Sequence, residues 1–175
     1  MRCAECGHNM ERIEGVHKYE ECGLKNVYLM DIPMFKCASC GETEVEIPAM
    51  EELHLLLGLI VVYQAKGLSP DDVRYLRKHM AYSQEELASK LGVTRASVAR
   101  WETNGTSKPI KTYHDLHLRR FYIEKKGKEF DSFTNVHRIL SAILDKLLVP
   151  SRARKIQIRK EDWTSQQEET DCLPA

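Results

Sequence analysis

The repeated motif Cys-x-x-Cys-Gly constrains the fold of this chain more than any other feature. It occurs at residues 3–7 and again at residues 37–41. Each copy places two sulfur atoms on one tight turn, and its glycine can adopt the positive φ that the turn requires. Because zinc prefers four nitrogen or sulfur ligands in a tetrahedron, two such turns complete one site. The sequence therefore predicts one structural zinc ion per chain, bound by Cys3, Cys6, Cys37 and Cys40.

The spacer between the two cysteine pairs is long enough for a β-hairpin. It contains 30 residues, from 7 to 36, and extended stretches are predicted at residues 25–35 and 44–47. This region has too few apolar residues for a core of its own, so metal binding would contribute to its folding. His8 and His17 are alternative ligands, and two thiol pairs without metal are the alternative to a metal site. Four cysteines leave no open position for catalysis, which favours a structural role.

The expected cellular compartment supports metal binding over disulfide formation. No basic, apolar leader precedes the first cysteine, and the longest apolar run covers only residues 53–63. That run is well short of the roughly 20 residues needed to span a bilayer. We therefore expect a soluble, cytoplasmic protein with no membrane partner, and disulfides are rare in that compartment.

Charge is divided unevenly along the chain, although the totals are equal at 26 acidic and 26 basic residues. Residues 1–66 contain 6 Lys or Arg and 11 Asp or Glu, a net charge of −5, whereas residues 67–128 contain 13 and 7, a net charge of +6. Residues 129–175 contain 7 and 8, a net charge of −1. The second region suits a polyanion, and the first repels one.

Helical patterns follow the cysteine region. From Met50 to Lys66, apolar residues recur at the spacing of one helical stripe, and Gly67 ends this helix. Ser69 is the predicted N-cap of the next helix. The apolar positions are Leu53, Leu56, Leu57, Ile60 and Val61 in the first helix, and Val73, Leu76 and Met80 in the second. Further helices are predicted at residues 111–126, through Leu116, Phe121, Tyr122 and Ile123, and at residues 133–148.

Residues 83–104 carry the pattern of a helix-turn-helix. Ser83 and Glu86 form a capping box, so a helix begins at Gln84. Ala88 is small where the second helix crosses the first, and Gly92 can adopt the left-handed turn between them. Thr94 then begins the second helix, which ends near Asn104. The inward positions are all apolar: Leu87, Leu91, Val93, Val98 and Trp101.

The opposite face of this second helix is the predicted DNA-reading surface, and double-stranded DNA is the predicted partner. Arginine can contact guanine bidentately, serine and threonine can bond bases or phosphates, and alanine can touch a thymine methyl group. Gln84 is predicted to lie near a phosphate, at the N-terminus of the preceding helix. Lys108 and Lys111 are either phosphate contacts or part of an ordinary solvated face. The candidate base contacts are Thr94, Arg95, Ala96, Ser97 and Arg100.

These patterns predict a mainly α-helical fold with a small β-containing zinc ribbon. The expected order is a zinc-binding domain at 1–48, a connecting helix at 49–68 and a helix-turn-helix domain at 69–128. An additional helix at 129–150 and a basic stretch with a polar, disordered tail at 151–175 complete the chain. The basic residues 152–160 are either a solvated strand or an arm that follows DNA phosphates.

Histidines provide the only hint of catalysis. His114 and His117 are three residues apart and close to Asp115, a spacing compatible with a metal site or a proton relay. Histidines on the surface of a basic helix are the commoner case, and no phosphate-binding loop or nucleophile motif accompanies them. We therefore predict that the protein is not an enzyme.

Taken together, the motifs resemble the YgiT-type zinc finger joined to an Xre/Cro-type helix-turn-helix, the family of the MqsA-like antitoxins. The resemblance covers about residues 1–126. It rests on the doubled cysteine motif, on Gly67-Leu68 leading into residues 73–77, on residues 83–88, and on Arg100-Trp101-Glu102 followed by Gly105.

This resemblance implies a zinc-stabilised N-terminal domain that docks an RNase toxin, and a C-terminal domain that forms a homodimer on a palindromic operator. In such members an asparagine and an arginine of the recognition helix contact bases. Arg100 corresponds to the arginine, whereas Ala96 stands at the asparagine position, which implies a different operator. Two functions follow: an antitoxin that represses its own operon, or a transcriptional regulator without a toxin.

Overall fold

A computed structural model describes residues 1–105, 110–131 and 155–164 of the 175-residue chain, and it confirms a mixture of helices with a small sheet. The strands are β1 (Met10–Lys18), β2 (Val27–Cys37), β3 (Thr43–Val45) and β4 (Ile156–Arg159), and a short 3-10 helix follows at Lys160–Asp162. The helices are α1 (Met50–Tyr63), α2 (Pro70–His79), α3 (Gln84–Leu91), α4 (Arg95–Trp101) and α5 (Thr112–Asp131). The predicted helix at 133–148, Lys108 and the polar tail beyond residue 164 lie outside the described residues. None of the described helices is long and apolar enough to cross a membrane.

The sheet is built around β2. Strands β1 and β2 form the predicted antiparallel hairpin, and β3 pairs antiparallel with the end of β2 that contains Met34. Strand β4 pairs parallel with the other end of β2, with Ile158 opposite Leu29. Residues 156–159 form a strand, which was one of the two predictions for this basic stretch, with Gln157 and Arg159 exposed. They are not an arm free to follow DNA, because Ile158 is fully buried. Their alternation of isoleucine with polar residues is the pattern of a half-buried strand.

A buried tryptophan fixes the segment that follows β4. Trp163 is 3% exposed, and its indole Nε1–H donates to the carbonyl oxygen of Pro48 at 2.8 Å. Pro48 comes just before α1, so the C-terminal segment contacts both the sheet and the start of the central helix. An indole whose N–H is satisfied in this way combines apolar burial with a directional contact.

Helix α1 lies at the centre of the core and is buried on almost all sides. Leu55 and Leu59 are 2% and 7% exposed, although a single apolar stripe through Leu53 and Leu57 would leave both in solvent. The single-stripe prediction is therefore too narrow. One hydrophobic cluster joins α1 to Leu29 of the sheet and to Leu76 of α2, which explains why the helix is apolar all round. It ends at Tyr63, with Gln64 as its C-cap, before the glycine predicted to end it.

Gly58 of α1 offers a test of this packing. A Cβ at this position would overlap the phenol oxygen of Tyr122 on α5. We expect Gly58→Ala to destabilise the protein by about 1–3 kcal/mol, because overpacking a dense core forces neighbouring side chains out of place. Gly127→Ala is the matched control, since nothing lies within 4 Å of a Cβ at this second helical glycine. That change should stabilise the protein by up to about 1 kcal/mol through helix propensity, and urea denaturation of both variants would measure the difference.

Helix α5 packs on the core as expected through Phe121, Tyr122 and Ile123, but not through Leu116. Leu116, predicted to point inward, is 62% exposed, whereas Leu118 and Tyr122 are fully buried. The orientation follows from two charged residues. Asp115 accepts from the backbone N–H of Leu68 at 2.7 Å, and Arg119 donates to the carbonyl oxygens of residues 62, 64 and 66. These bonds satisfy backbone groups in the connection between α1 and α2, so the charged pair faces the core.

Candidate metal centre and nucleic-acid interface

The four predicted cysteine ligands lie together at one end of the sheet. The Sγ atoms of Cys3 and Cys40 are 3.5 Å apart, and Cys6 Sγ is 3.4 Å from the Sγ atoms of both Cys37 and Cys40. These separations are far longer than a disulfide bond of about 2.05 Å. They are close to the edge of about 3.8 Å of a tetrahedron with Zn–S bonds of about 2.3 Å. All four sulfurs lie within 4.8 Å of one another, so the cluster could hold one metal ion.

The two cysteine turns share one backbone geometry. The N–H groups of Gly7 and Gly41 each donate at 2.9 Å to the carbonyl oxygen four residues earlier, and their φ values are 73° and 79°. These values confirm the left-handed conformation expected of the glycines. Backbone N–H groups of Cys40 and Ser39 lower the pKa of Cys37 to about 6. Such donors favour the thiolate, which is the form that binds metal. A backbone hydrogen bond from Glu42 acts to lower the pKa of Cys40, but the neighbouring thiols of Cys6 and Cys3 leave it raised to about 12. Neither His8 nor His17 belongs to the sulfur cluster.

The helix-turn-helix forms as its sequence predicts. Ser83 and Glu86 make the reciprocal capping box, at 3.1 Å and 2.7 Å. Gly92 takes a left-handed φ of 65° between α3 and α4, and Ala88 is 2% exposed where the helices meet. The inward side chains Leu87, Leu91, Val98 and Trp101 are buried, and Val93 is half-buried. Helix α4 is thereby held as one rigid body with α3.

The outward face of α4 brings the candidate base contacts together. Thr94, Arg95, Ala96 and Arg100 are exposed, and Ser97 is partly exposed. Thr94 is the N-cap, because its Oγ1 accepts from the backbone N–H of Ser97 at 3.3 Å. Arg100 donates to Ser97 Oγ at 3.2 Å, one turn further along the helix. A short polar ridge with two guanidinium groups is thus presented to solvent, and such groups can read guanine in a major groove.

Gln84, the predicted phosphate contact, also makes a hydrogen bond within the protein. It lies at the N-terminus of α3, as expected, but its side-chain Nε2 donates to Glu102 Oε2 at 2.9 Å. The side chain is half-buried, so in the free protein it connects α3 to the end of α4. Lys111, the other predicted phosphate contact within the described residues, is exposed.

A buried ion pair that the sequence did not indicate supports helix α4. Glu102 is 3% exposed, and Arg77 of α2 donates to its two carboxylate oxygens at 2.6 Å and 2.9 Å. Arg74 also donates to the carbonyl oxygen of Glu102. Burial acts to raise the pKa of this carboxyl, but the hydrogen bonds from Arg77 and Gln84 leave it lowered. Glu102 therefore ties α2 and α3 to the end of α4. The only sequence signal was an acid directly after a buried tryptophan.

A second buried carboxylate, on α2, links the turn between β1 and β2 to the residues that follow α4. Asp71 is 8% exposed, and it accepts from Lys25 at 3.0 Å and from Asn104 Nδ2 at 3.2 Å. Lys25 lies in the turn between β1 and β2, and Asn104 follows α4. Burial acts to raise the pKa of Asp71, but the bonds from Lys25 and Asn104 leave it lowered. The sequence did not single out this contact, because its three members are far apart in the chain.

The histidines of α5 do not form a site with the nearby acid. Asp115 is turned toward Leu68 and Arg119, on the buried side of the helix. The ring of His114 lies 5.1 Å from that of Trp101, and the ring of His117 lies 6.0 Å from that of Tyr113. Within the described residues, neither Nδ1 atom has a hydrogen-bond partner. The structure therefore does not assemble the relay that the spacing allowed.

Comparison with known protein families finds one match. Residues 73–113 match a model of the helix-turn-helix family, over less than a quarter of the chain. Searches of curated proteins and of solved structures find no significant match. The matched range runs from α2 to the start of α5, and it includes the capping box, Gly92 and the exposed face of α4. This chain thus contains a helix-turn-helix of the kind found in DNA-binding transcription regulators.

Proposed function

We propose that this protein is a sequence-specific transcriptional repressor that binds its operator as a homodimer. The exposed polar face of α4 carries this proposal, because it stands on a helix-turn-helix and in the region with a net charge of +6. Two recognition helices of a dimer enter successive major grooves when the half-sites lie about one helical turn apart. The role is regulatory rather than catalytic.

We further propose that the metal is a structural zinc ion, bound by Cys3, Cys6, Cys37 and Cys40. Four thiolates suit zinc, and they leave no position open for a substrate. The ion would stabilise a zinc-binding unit of residues 1–48, joined through residues 49–68 to a DNA-binding unit of residues 69–128. Among the candidate base contacts, Arg100 is assigned to a guanine, with Thr94, Arg95, Ala96 and Ser97 beside it.

Removing the Arg100 side chain tests the placement of the reading helix. We expect Arg100→Ala to weaken specific operator binding by about 1–3 kcal/mol, since a bidentate contact to guanine is lost. Arg12→Ala is the matched control, because Arg12 is exposed on β1, in the acidic region of residues 1–66. Gel-shift titrations of both variants on a mapped operator would measure the effect. Equal affinities for Arg100→Ala and the unmodified protein would contradict the placement of α4.

The favoured biological role is that of an MqsA-like antitoxin, in which the zinc-binding unit also binds an RNase toxin. The supporting observation is the net charge of −5 on residues 1–66, which suits the basic surface of an RNA-cleaving protein. Ala96, at the position of a base-reading asparagine, supports an operator different from that of the better-known members. The alternative is a regulator with the same DNA-binding mode and no toxin.

Gene neighbourhood and co-purification distinguish the two roles. An antitoxin should form a stable complex with a small basic protein encoded beside it, and it should suppress the growth arrest which that protein causes. If the neighbouring product neither co-purifies nor is neutralised, the antitoxin role is wrong and the regulator remains. Genome-wide mapping of bound sites would then show whether distant promoters are controlled.

A further inference from the structure

Two histidines lie side by side where four parts of the chain meet. His54 belongs to α1 and His79 is the last residue of α2, and their ring centroids are 5.9 Å apart. The Nε2 atom of His54 is 2.8 Å from the hydroxyl oxygen of Tyr19, which directly follows β1. The Nδ1 atom of His79 is 2.7 Å from the hydroxyl oxygen of Tyr122 on α5. We call these four side chains, together with Tyr75 of α2, the histidine cluster.

The phenols of the cluster are all buried, and each is hydrogen-bonded to one of the two histidines. The Tyr75 hydroxyl donates to the backbone carbonyl oxygen of His54 at 2.6 Å, and its ring lies 5.8 Å from that of His79. The cluster therefore connects α1, α2, α5 and the turn that follows β1. The exposed fractions are 5% for Tyr19, 4% for Tyr75 and 0% for Tyr122.

Both imidazoles favour the neutral form in this environment. Burial lowers the pKa of His54, and burial, Lys126 and His54 together lower the pKa of His79 to about 4. Glu129 on α5 opposes the shift of His79 without cancelling it. A neutral imidazole has one donor and one acceptor nitrogen, whereas a protonated ring has two donors. A phenol that donates to a ring nitrogen would therefore lose its acceptor on protonation.

Solvent can reach the two histidines without unfolding of the core. A cavity of about 330 Å³ opens onto both of them, between α2 and the turn that joins β1 to β2. Acids and bases alternate around this opening, and His17 lies behind Tyr19, with its ring 6.2 Å from the phenol. The titratable side chains of the opening are Glu21, Cys22, Asp71, Arg74 and Lys78.

We propose that the histidine cluster is an acid-sensitive contact, which holds α5 and the β1–β2 turn against α1 and α2 near neutral pH and releases them when the pH falls. Protonation would place a positive charge on a half-buried ring, next to a second histidine that titrates in the same range. The expected consequence is weaker DNA binding at acidic pH, and this consequence rests on the proposed function.

The cluster lies next to both supports of α4. His79 is two residues from Arg77, whose guanidinium binds the buried carboxylate of Glu102 at the end of α4. At the start of α5, the ring of His114 lies 5.1 Å from that of Trp101 on α4. Separation of α5 from α2 at His79 would therefore loosen the contacts that hold α4 in place.

The direction of the pH effect follows from the two states of His79. Its ordinary pKa is 6.5, and its pKa in the folded protein is about 4, so between these values the unfolded chain binds the proton more readily. The stabilisation is complete above pH 6.5 and is lost as the pH falls toward 4. In that range, each histidine that stays neutral only in the folded protein raises the unfolding equilibrium constant by about tenfold per pH unit.

Chemical denaturation of the full chain at pH 7.5 and 5.5 tests the contact. In the double variant His54→Gln/His79→Asn, uncharged amides replace the two bonded ring nitrogens and can still bind the phenols. Between these pH values, the unfolding equilibrium constant of the unmodified protein should rise about tenfold more than that of the double variant. Equal pH dependence of the two proteins would overturn the proposal.

Two controls separate the cluster from other effects of acid. His117→Asn makes one of the same substitutions at another half-buried histidine, outside the cluster, and should keep the pH dependence of the unmodified protein. Because acid also protonates metal-binding thiolates, zinc content is measured at each pH and should be equal in all three proteins. A loss of pH dependence in His117→Asn equal to that in the double variant would contradict the role of the cluster.

Ring signals in nuclear magnetic resonance test the same contact without any substitution. In the folded, unmodified protein, His54 and His79 should both remain neutral at pH 5.5, so their ring nitrogens should show no sign of titration between pH 7.5 and 5.5. Titration of both rings near pH 6.5 while the protein stays folded would overturn the proposal, even if the double variant failed to fold.

Operator binding at the two pH values distinguishes this inference from the proposed function. On acidification from pH 7.5 to 5.5, the unmodified protein should lose at least about fivefold more operator affinity than the double variant, since up to about tenfold is available from one histidine. Equal losses would refute the effect of the cluster on DNA binding. Absence of DNA binding at both pH values would refute the repressor role, while denaturation and the ring signals would still decide whether the contact is acid-sensitive.

Discussion

Replacing Cys37 with serine is expected to abolish metal binding and to unfold the sheet end of the molecule. Cys37 is fully buried, it ends β2, and it pairs in register with Met10 at the start of β1. Loss of its thiolate would therefore release the ion and the hairpin together. Structural zinc contributes about 10–16 kcal/mol of apparent binding energy in zinc-finger peptides, so we expect the loss to exceed that of ordinary core substitutions.

Metal analysis of the purified protein and thermal unfolding would measure this effect. Cys22→Ser is the matched control, because Cys22 lies outside the sulfur cluster and its thiol donates to the carbonyl oxygen of Tyr19. The control should keep one equivalent of zinc, and a chelator should convert it to a state like that of Cys37→Ser. A Cys37→Ser protein with full zinc content and unchanged melting temperature would disprove the assignment.

Removing the Glu102 carboxylate should cause the second large loss. Glu102→Ala leaves the guanidinium of Arg77 almost buried and unpaired, and an unpaired buried charge costs about 3–5 kcal/mol. Glu85→Ala is the control, since Glu85 is exposed in the first turn of α3 and its loss should cost less than about 1 kcal/mol. Because Arg77, Gln84 and the end of α4 meet at Glu102, we also expect weaker operator binding than stability alone explains.

Two measurements distinguish the loss of the ion pair from other effects of the Glu102→Ala substitution. Combining Glu102→Ala with Arg77→Met should recover part of the loss in chemical denaturation, because no buried charge then lacks its partner. The pKa of Glu102 is lowered in the folded protein, so its stabilisation is present above the ordinary value of 4.5 and is lost as the pH falls below it. Glu102→Ala should therefore unfold with a weaker dependence on acidic pH. Equal losses in Glu102→Ala and Glu85→Ala would contradict this role.

Features fixed by neighbours in the chain could be predicted from sequence. The cysteine turns, the N-cap at Ser69, the capping box at Ser83 and the left-handed Gly92 depend on residues within a few positions of one another. The inward residues of the helix-turn-helix could also be predicted, because steric demands at the crossing of two short helices fix their spacing. The sequence therefore predicted both the position of helix α4 and the face of it that is exposed.

Features fixed by distant parts of the chain could not be predicted in this way. The burial of α1 on almost all sides depends on a sheet and on helices that are distant from it in the chain. Leu116 was assigned to the wrong face of α5, because Asp115 and Arg119 look like solvent-exposed charges until the backbone of residues 62–68 is placed beside them. Glu102 and Arg77 likewise form a pair only once α2 and α4 have packed.

The parallel pairing of β4 with β2 has a consequence for the order of folding. The N-terminal hairpin is made early in synthesis, but the strand that completes its edge and the indole that binds Pro48 come from residues 155–164. Until those residues have left the ribosome, the edge of β2 at Val27 to Met30 has unpaired backbone groups and can pair with other chains. Early binding of the proposed zinc ion would limit this risk, since it would hold the hairpin in register while the rest of the protein is made.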